Sequence, residues 1–449
     1  MRRIARILRI PFMFVAVCWC LVQTPVVARE IQDGKAASDA TAASDTAAAS
    51  NATTTPPRWD LFQRILLGPL SRDPDFTVTD GVSFSNEDLG LTLNLGGRIF
   101  LDAAYYFEDG NRDLTDSFGF QDVRLEAEST LGDDWSSRLS LGVSLDDSRS
   151  IDLSIKDIYV RYLGFSPIEF TVGQQKEPFS LEEITSSRRR IFLQRALPNT
   201  FPPSTSLGFA VRTHGERWTA NAGGFIRSIG VDQNHGDQGF GLSGRFTTSP
   251  ILEEDHVLHL GGSVSLRKAA SDDDVSYSSR PEVGIADFKF VNTGRIEGAD
   301  RIRTMGIEGA YIHGPYFLQG ELMLANVGRQ DGFADTWFNG LYVMGSWFVT
   351  GESRSYLHKI GTFGSITPTH RLGAVELAAR YSRIDLTSKD IKGGVEQNVT
   401  LGLNWYIRRQ VRLMANYVLV WADDAADGNG TLTGGDSSQI FQVRLQVSF

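Results

Sequence analysis

From Leu89 to the end of the chain, apolar and polar residues alternate with a period of two. Leu89, Leu91, Leu93 and Leu95 fall on one face of an extended chain, with Thr92 and Asn94 on the other. Val123, Leu125 and Ala127 alternate with Arg124, Glu126 and Glu128, and Leu139, Leu141, Val143 and Leu145 with Arg138, Ser140 and Ser144. The pattern returns at Leu258–Leu266, Val375–Tyr381, Leu401–Ile407 and Val411–Trp421. Successive side chains of a strand point to opposite faces, so this spacing predicts strands with one apolar face. The segments run about 10 residues between Gly/Asp/Asn/Ser turns, the length of a strand tilted across a bilayer. The predicted fold is all-β: a transmembrane antiparallel β-barrel of about sixteen strands over 89–449, with Val283 to Phe290 assigned to a loop.

Large rings support the membrane setting over a soluble sandwich or propeller. Tyr105, Tyr106, Trp135, Trp218, Tyr311, Trp337, Trp347, Trp405 and Trp421 sit near strand ends, where barrels carry aromatic girdles. The last strand is the sharpest local signal. Phe441, Val443, Leu445, Val447 and Phe449 are apolar, and every residue between them is polar. A chain closing on such a strand with a final Phe resembles the closing strand of bacterial outer-membrane barrels. This implies that Phe449 serves assembly through the barrel assembly machinery. A barrel of about sixteen strands leaves an aqueous lumen, whereas about eight are filled by side chains.

The N-terminal part divides differently. Arg2, Arg3, Arg6 and Arg9 precede an apolar run from Ile10 to Val22, and Val26-Val27-Ala28 fits a small-residue cleavage site, so 1–28 reads as a signal peptide. Residues 29–58 are rich in Ala, Ser and Thr with almost no large apolar side chain, which predicts a disordered linker. Residues 59–88 form an N-terminal segment in which 59–70 has the pattern of one short helix.

Charge sharpens the function of the lumen. The formal net charge is -10, or -14 once the four signal arginines leave, which excludes a nucleic-acid partner. Parity nevertheless places Arg98, Arg124, Arg138, Arg212, Arg227, Arg245, Arg267, Arg380, Arg412 and Arg444 on the polar, lumenal face. Asp102, Glu126, Glu128, Glu308, Glu321 and Glu376 share it, while the acidic runs 253–255, 272–274 and 423–427 fall in turns or loops. Only eight of the 44 basic residues are lysine. Arginine keeps its charge and meets oxyanions through a planar fork, so an Arg-lined lumen favours small anions. The alternative is that these arginines pair with the carboxylates and stiffen the wall.

No catalytic, cofactor or metal site is expected. Both cysteines, Cys18 and Cys20, lie in the signal, and His256 and His259 fall on opposite faces of a strand. Ser206 and His214 share a face by parity but sit in no nucleophile motif, so an enzyme is not expected.

The block GQQKEPFSLEEITSS at 173–187, continued by RRRIFLQRALPNTF to Phe201, resembles the phosphate-selective porin O and P family. So do AARYSRIDL at 378–386 and VEQNVTLGLNWYIRRQVRLMANYV at 395–418. The resemblance implies a homotrimeric channel in lipid of a Gram-negative outer membrane, with a long third loop folded inward. It also implies that the serines of TSS and the arginine eight residues on, Ser186, Ser187 and Arg195, line the narrow site. The residues agree independently: the stretch from Pro178 to Pro203 lacks alternation and is long for a turn, and it follows Lys176 and carries Arg188 to Arg190. Lys176, Ser186, Ser187 and Arg195 are therefore the expected constriction. Glu177, Glu182 and Glu183 depart from the family by adding negative charge there. The expected function is passive diffusion of small anions, phosphate among them. Two other readings stand beside it: a porin for organic acids or cations, and a non-conducting scaffold or adhesin.

Overall fold

A computed structural model describes residues 75–78, 81–108, 114–145, 151–226, 238–269, 275–286 and 288–449. The expected signal, linker and helix at 59–70 lie outside the described residues, as do Arg227 and the acidic run 272–274.

Sixteen strands form the wall. They are β1 (Leu91–Glu108), β2 (Ser117–Leu131), β3 (Trp135–Leu145), β4 (Ile151–Phe165), β5 (Ile168–Lys176), β6 (Thr205–His214), β7 (Trp218–Ile226) and β8 (Gln238–Leu252). There follow β9 (His256–Ala269), β10 (Ala299–His313), β11 (Tyr316–Arg329), β12 (Thr336–Phe348), β13 (Ala374–Ser388), β14 (Ile391–Tyr406), β15 (Val411–Ala426) and β16 (Leu432–Ser448). Each pairs antiparallel with its sequence neighbour, and β16 closes on β1 with Arg444 opposite Asp102. A hairpin of Asp75–Val78 and Val82–Asn86 continues the sheet beyond the end of β16, pairing Val82 with Leu95 of β1. In the stretch Val283 to Phe290, the described residues 283–286 and 288–290 lie in a loop, as expected.

The alternation sorts the two faces. In β14, Leu401, Leu403 and Trp405 are exposed outward, whereas Asn398, Thr400 and Asn404 are buried inward. Trp218, Tyr316, Trp347 and Trp405 lie exposed near one barrel end, and Tyr105, Trp337 and Trp421 near the other. Tyr106, beside Tyr105, turns the opposite way and packs on Phe288 of a loop.

Most connections at the end holding Phe449 are turns of two to four residues, such as 166–167 and 314–315. Short turns mark the periplasmic side of such barrels. Three long segments fold into the lumen: 177–204 and 275–298 from the opposite mouth, and 349–373 from the turn end. They bury Phe179, Leu181, Phe192, Leu197 and Phe201 against inward Met323, Phe338, Tyr342 and Met344 of β11 and β12. This is why β12 is apolar on both faces: one meets lipid, the other meets loops. Val283, Ala286 and Phe290 pack likewise against Val418, Val420 and Ile440. Open space is left on the side of β1 to β7.

Candidate functional site

The segment 177–204 is shaped by its own sequence. Pro178, which has no backbone N–H, comes two residues after Lys176, the last ladder residue of β5. Ser180 adopts φ 62 and turns the chain, and its hydroxyl accepts from the Glu183 amide at 3.1 Å, capping a single turn, α1 (Leu181–Ile184). The open amides of that turn find a carboxylate: Leu181 and Glu182 donate to Glu321 at 3.1 and 2.8 Å.

Beyond α1 the wall, together with Arg354 of the inward segment 349–373, grips the loop by its backbone. Gln446, Arg354, Arg412 and Asn404 donate to the carbonyls of Arg188, Arg189, Arg190 and Ile191 at 3.1, 3.5, 2.9 and 2.9 Å. Arg444 and Arg380 donate to those of Leu193 and Gln194 at 2.8 and 3.0 Å. Glycine makes room where the loop seats deepest: a Cβ on Gly402 would lie 3.0 Å from the Phe192 ring.

The opposite face of the segment borders a cavity of about 1070 Å³. Thirteen Arg and Lys side chains line it, against three carboxylates, Glu128, Asp157 and Glu183, and the chain terminus. Lys176, Ser186, Ser187 and Arg195 are all there, facing Arg98, Arg124, Arg138 and Arg212 of the wall. Most of these cations are paired. Arg98 meets Asp122 and Glu126 at 2.9 and 3.1 Å, and Arg124 meets Asp122 at 2.7 Å. Arg188 meets Glu126, Arg138 meets both Glu126 and Glu128, and Arg212 meets Glu169. In several pairs the cation is nearer the water: Arg188 is 30% exposed and Glu126 5%, Arg195 27% and Glu183 7%. Ser187 has its hydroxyl on Asp122 at 3.4 Å.

Other expected residues lie elsewhere. Arg245, Arg267 and Arg380 do not border the cavity but lie buried beneath the loops. Arg245 pairs with Glu308 at 2.5 Å, Arg267 with Glu177, and Arg380 with Glu282 at 2.5 Å and Glu182 at 3.4 Å. Their lumenal parity holds, but packed loop stands between them and water. Arg412 does border the cavity, yet it is nearly buried and spends its donors on Arg190, Tyr406 and Gln446. The acidic departures are likewise absorbed: Glu177 and Glu182 are tied to wall arginines, and only Glu183 reaches the cavity. Burial works to raise the Glu183 carboxyl, but Arg195 and then Lys176 outweigh it and hold it below the usual carboxylate range.

The profile of the phosphate-selective porin O and P family matches residues 93–449, all but the first two residues of the barrel. The chain belongs to that family. Porin O of Pseudomonas aeruginosa is 25% identical over 82% of this chain and 91% of its own length. The anion-selective porin from Comamonas acidovorans superposes with TM-score 0.51 at 15% identity, covering 80% of this chain and 100% of that one. OmpT of Vibrio cholerae in its trimer form gives TM-score 0.50 at 12% identity, covering 80% and 100%. As a member of the porin O and P family the protein is a porin of the Gram-negative outer membrane.

Sequence reasoning missed the second inward segment near the narrow site, 349–373. Its Thr362 hydroxyl lies 2.9 Å from that of Thr185, and its Ile360 and Gly361 carbonyls accept from Arg245 at 3.3 and 2.7 Å. Its length, in place of a short turn, was the available signal. Lys156, Arg161, Arg354 and Arg409 also border the cavity and were not singled out.

Proposed function

We propose that this porin is a homotrimeric channel giving passive diffusion to small anions, phosphate among them, with no catalytic step. The observation that carries the reading is the lining of the cavity, thirteen cations to three side-chain carboxylates. In a narrow space bounded by protein, Coulomb attraction is several times stronger than in bulk water. An anion can then exchange water for guanidinium and hydroxyl donors without being held fast. The name of the Comamonas neighbour and the family description point the same way, and a trimeric neighbour supports the assembly.

The test is a planar bilayer with a KCl gradient. The expected reversal potential shows anion preference, added inorganic phosphate partly blocks the chloride current, and Arg195→Ala loses both. Cation preference in the wild-type pore refutes the proposal.

A further inference from the structure

We infer that Glu183 is a resident counter-ion that occupies the place of a permeating anion between Arg195 and Lys176, making the pore a weak binder and fast conductor rather than a tight phosphate site. This rests on the anion-channel reading and refines it. Two guanidinium nitrogens of Arg195 face two carboxylate oxygens: Nη1 lies 3.1 Å from Oε2 and Nη2 3.2 Å from Oε1. That fork-on-fork geometry is the one an incoming phosphate or carboxylate would need. Lys176 Nζ donates to the Glu183 carbonyl at 2.5 Å and lies 3.9 Å from Oε1. Asn199 Nδ2 donates to Oε2 at 2.9 Å.

The carboxylate is placed there by the fold. The Ser180 cap and the single turn α1 fix Glu183, while its neighbours Glu177 and Glu182 are drawn off to Arg267 and Arg380. Arg190, also in the loop, adds to the positive field on it. A permeating anion must therefore exchange with a ligand already seated. Exchange lowers residence time at the narrow site and keeps conduction from saturating early, which a pore requires.

Glu183→Gln removes the charge and keeps nearly the same shape, so Arg195 and Lys176 gain free donors. The measurement is block of chloride current by inorganic phosphate, using the full-length protein in planar bilayers with folding checked by heat-modifiable mobility. The half-blocking concentration should fall at least tenfold, equivalent to about 1.4 kcal/mol. Adding Arg195→Ala should cancel the gain. Glu183→Asp, which keeps the charge but shortens the reach, should shift block the same way by a smaller factor, and serves should the Gln variant not fold. Unchanged block in folded Glu183→Gln overturns the inference, as does a gain that survives Arg195→Ala. Cation preference in the wild-type pore would instead remove the underlying anion reading.

Discussion

Arg444 tests whether wall arginines hold the inward loop. Its guanidinium is 1% exposed, meets both oxygens of Asp102 at 2.6 and 2.7 Å, and lies over the Phe100 ring at 4.8 Å. Its remaining nitrogen donates to the Leu193 carbonyl at 2.8 Å. Arg444→Ala therefore does two separable things. It leaves Asp102 as a lone buried charge, which costs roughly 3–5 kcal/mol. It also removes one charge-assisted hydrogen bond from the loop, worth about 1.5–3 kcal/mol, so the seat weakens by a factor of roughly 10–100. Five other carbonyl grips persist, so the loop should leave briefly rather than for good. Thermal loss of the heat-modifiable form reads the first effect, and open-channel noise in single-channel records reads the second. Asp102→Asn in the same chain should restore most of the thermal stability and none of the quiet. Unchanged stability in Arg444→Ala, or noise that Asp102→Asn abolishes, would refute this division.

Two further outcomes follow from particular contacts. Phe449 exchanges backbone hydrogen bonds with Gly97 at 3.0 and 2.8 Å at the closing seam, so deleting it should lower the heat-modifiable folded band in outer-membrane fractions; an unchanged yield counts against an assembly role. Burial works to raise the Glu352 carboxyl, but hydrogen bonds from Thr350, the Thr369 amide and hydroxyl, and His370 lower it to about 2. A lowered value gives stability that is fully present above the unfolded pKa of about 4.5, declines gradually below it and is gone once pH has fallen through about 2. The gap in thermal stability between wild type and Glu352→Gln should thus persist from pH 7 to pH 4 and close towards pH 2; closure already between pH 5 and 4 refutes the assignment.

The wall was legible because lipid enforces period two: a residue in β14 or β16 that breaks the alternation meets hydrocarbon or water on the wrong side. The interior was less so, because parity tells only that a side chain points inward. Arg245 and Arg124 read alike in sequence, yet one is sealed under Ile360 and Gly361 and the other borders water. The difference was written in other residues. Phe338, Tyr342 and Met344 are apolar at inward positions of β12, which makes sense only if something dry covers them. The apolar residues of 191–201 supply that cover, and together they mark which half of the lumen is filled.

That partition also reconciles an acidic chain with a basic path. Every lumenal arginine named from sequence faces inward where it is described, but the loops divide them into two physical situations. Beneath the loops, both partners of a pair lose water, and removing either leaves a buried charge, so Arg267–Glu177 and Arg380–Glu282 act as anchors. Beside the cavity, Arg124, Arg138, Arg188 and Arg195 keep contact with water, while Glu126 sits behind two of them. Where the cation is the more exposed partner, as in Arg188–Glu126 and Arg124–Asp122, an ion in the cavity meets the cation first, so the pair presents a dipole with its positive end outward. Net charge is then a poor guide, because physiological salt lets exposed charges act only over roughly 8 Å. In those pairs the depth order, rather than the net charge, sets which sign faces the cavity. Glu183 is the one place in the inward loop where a carboxylate shares that border with the cations it neutralises.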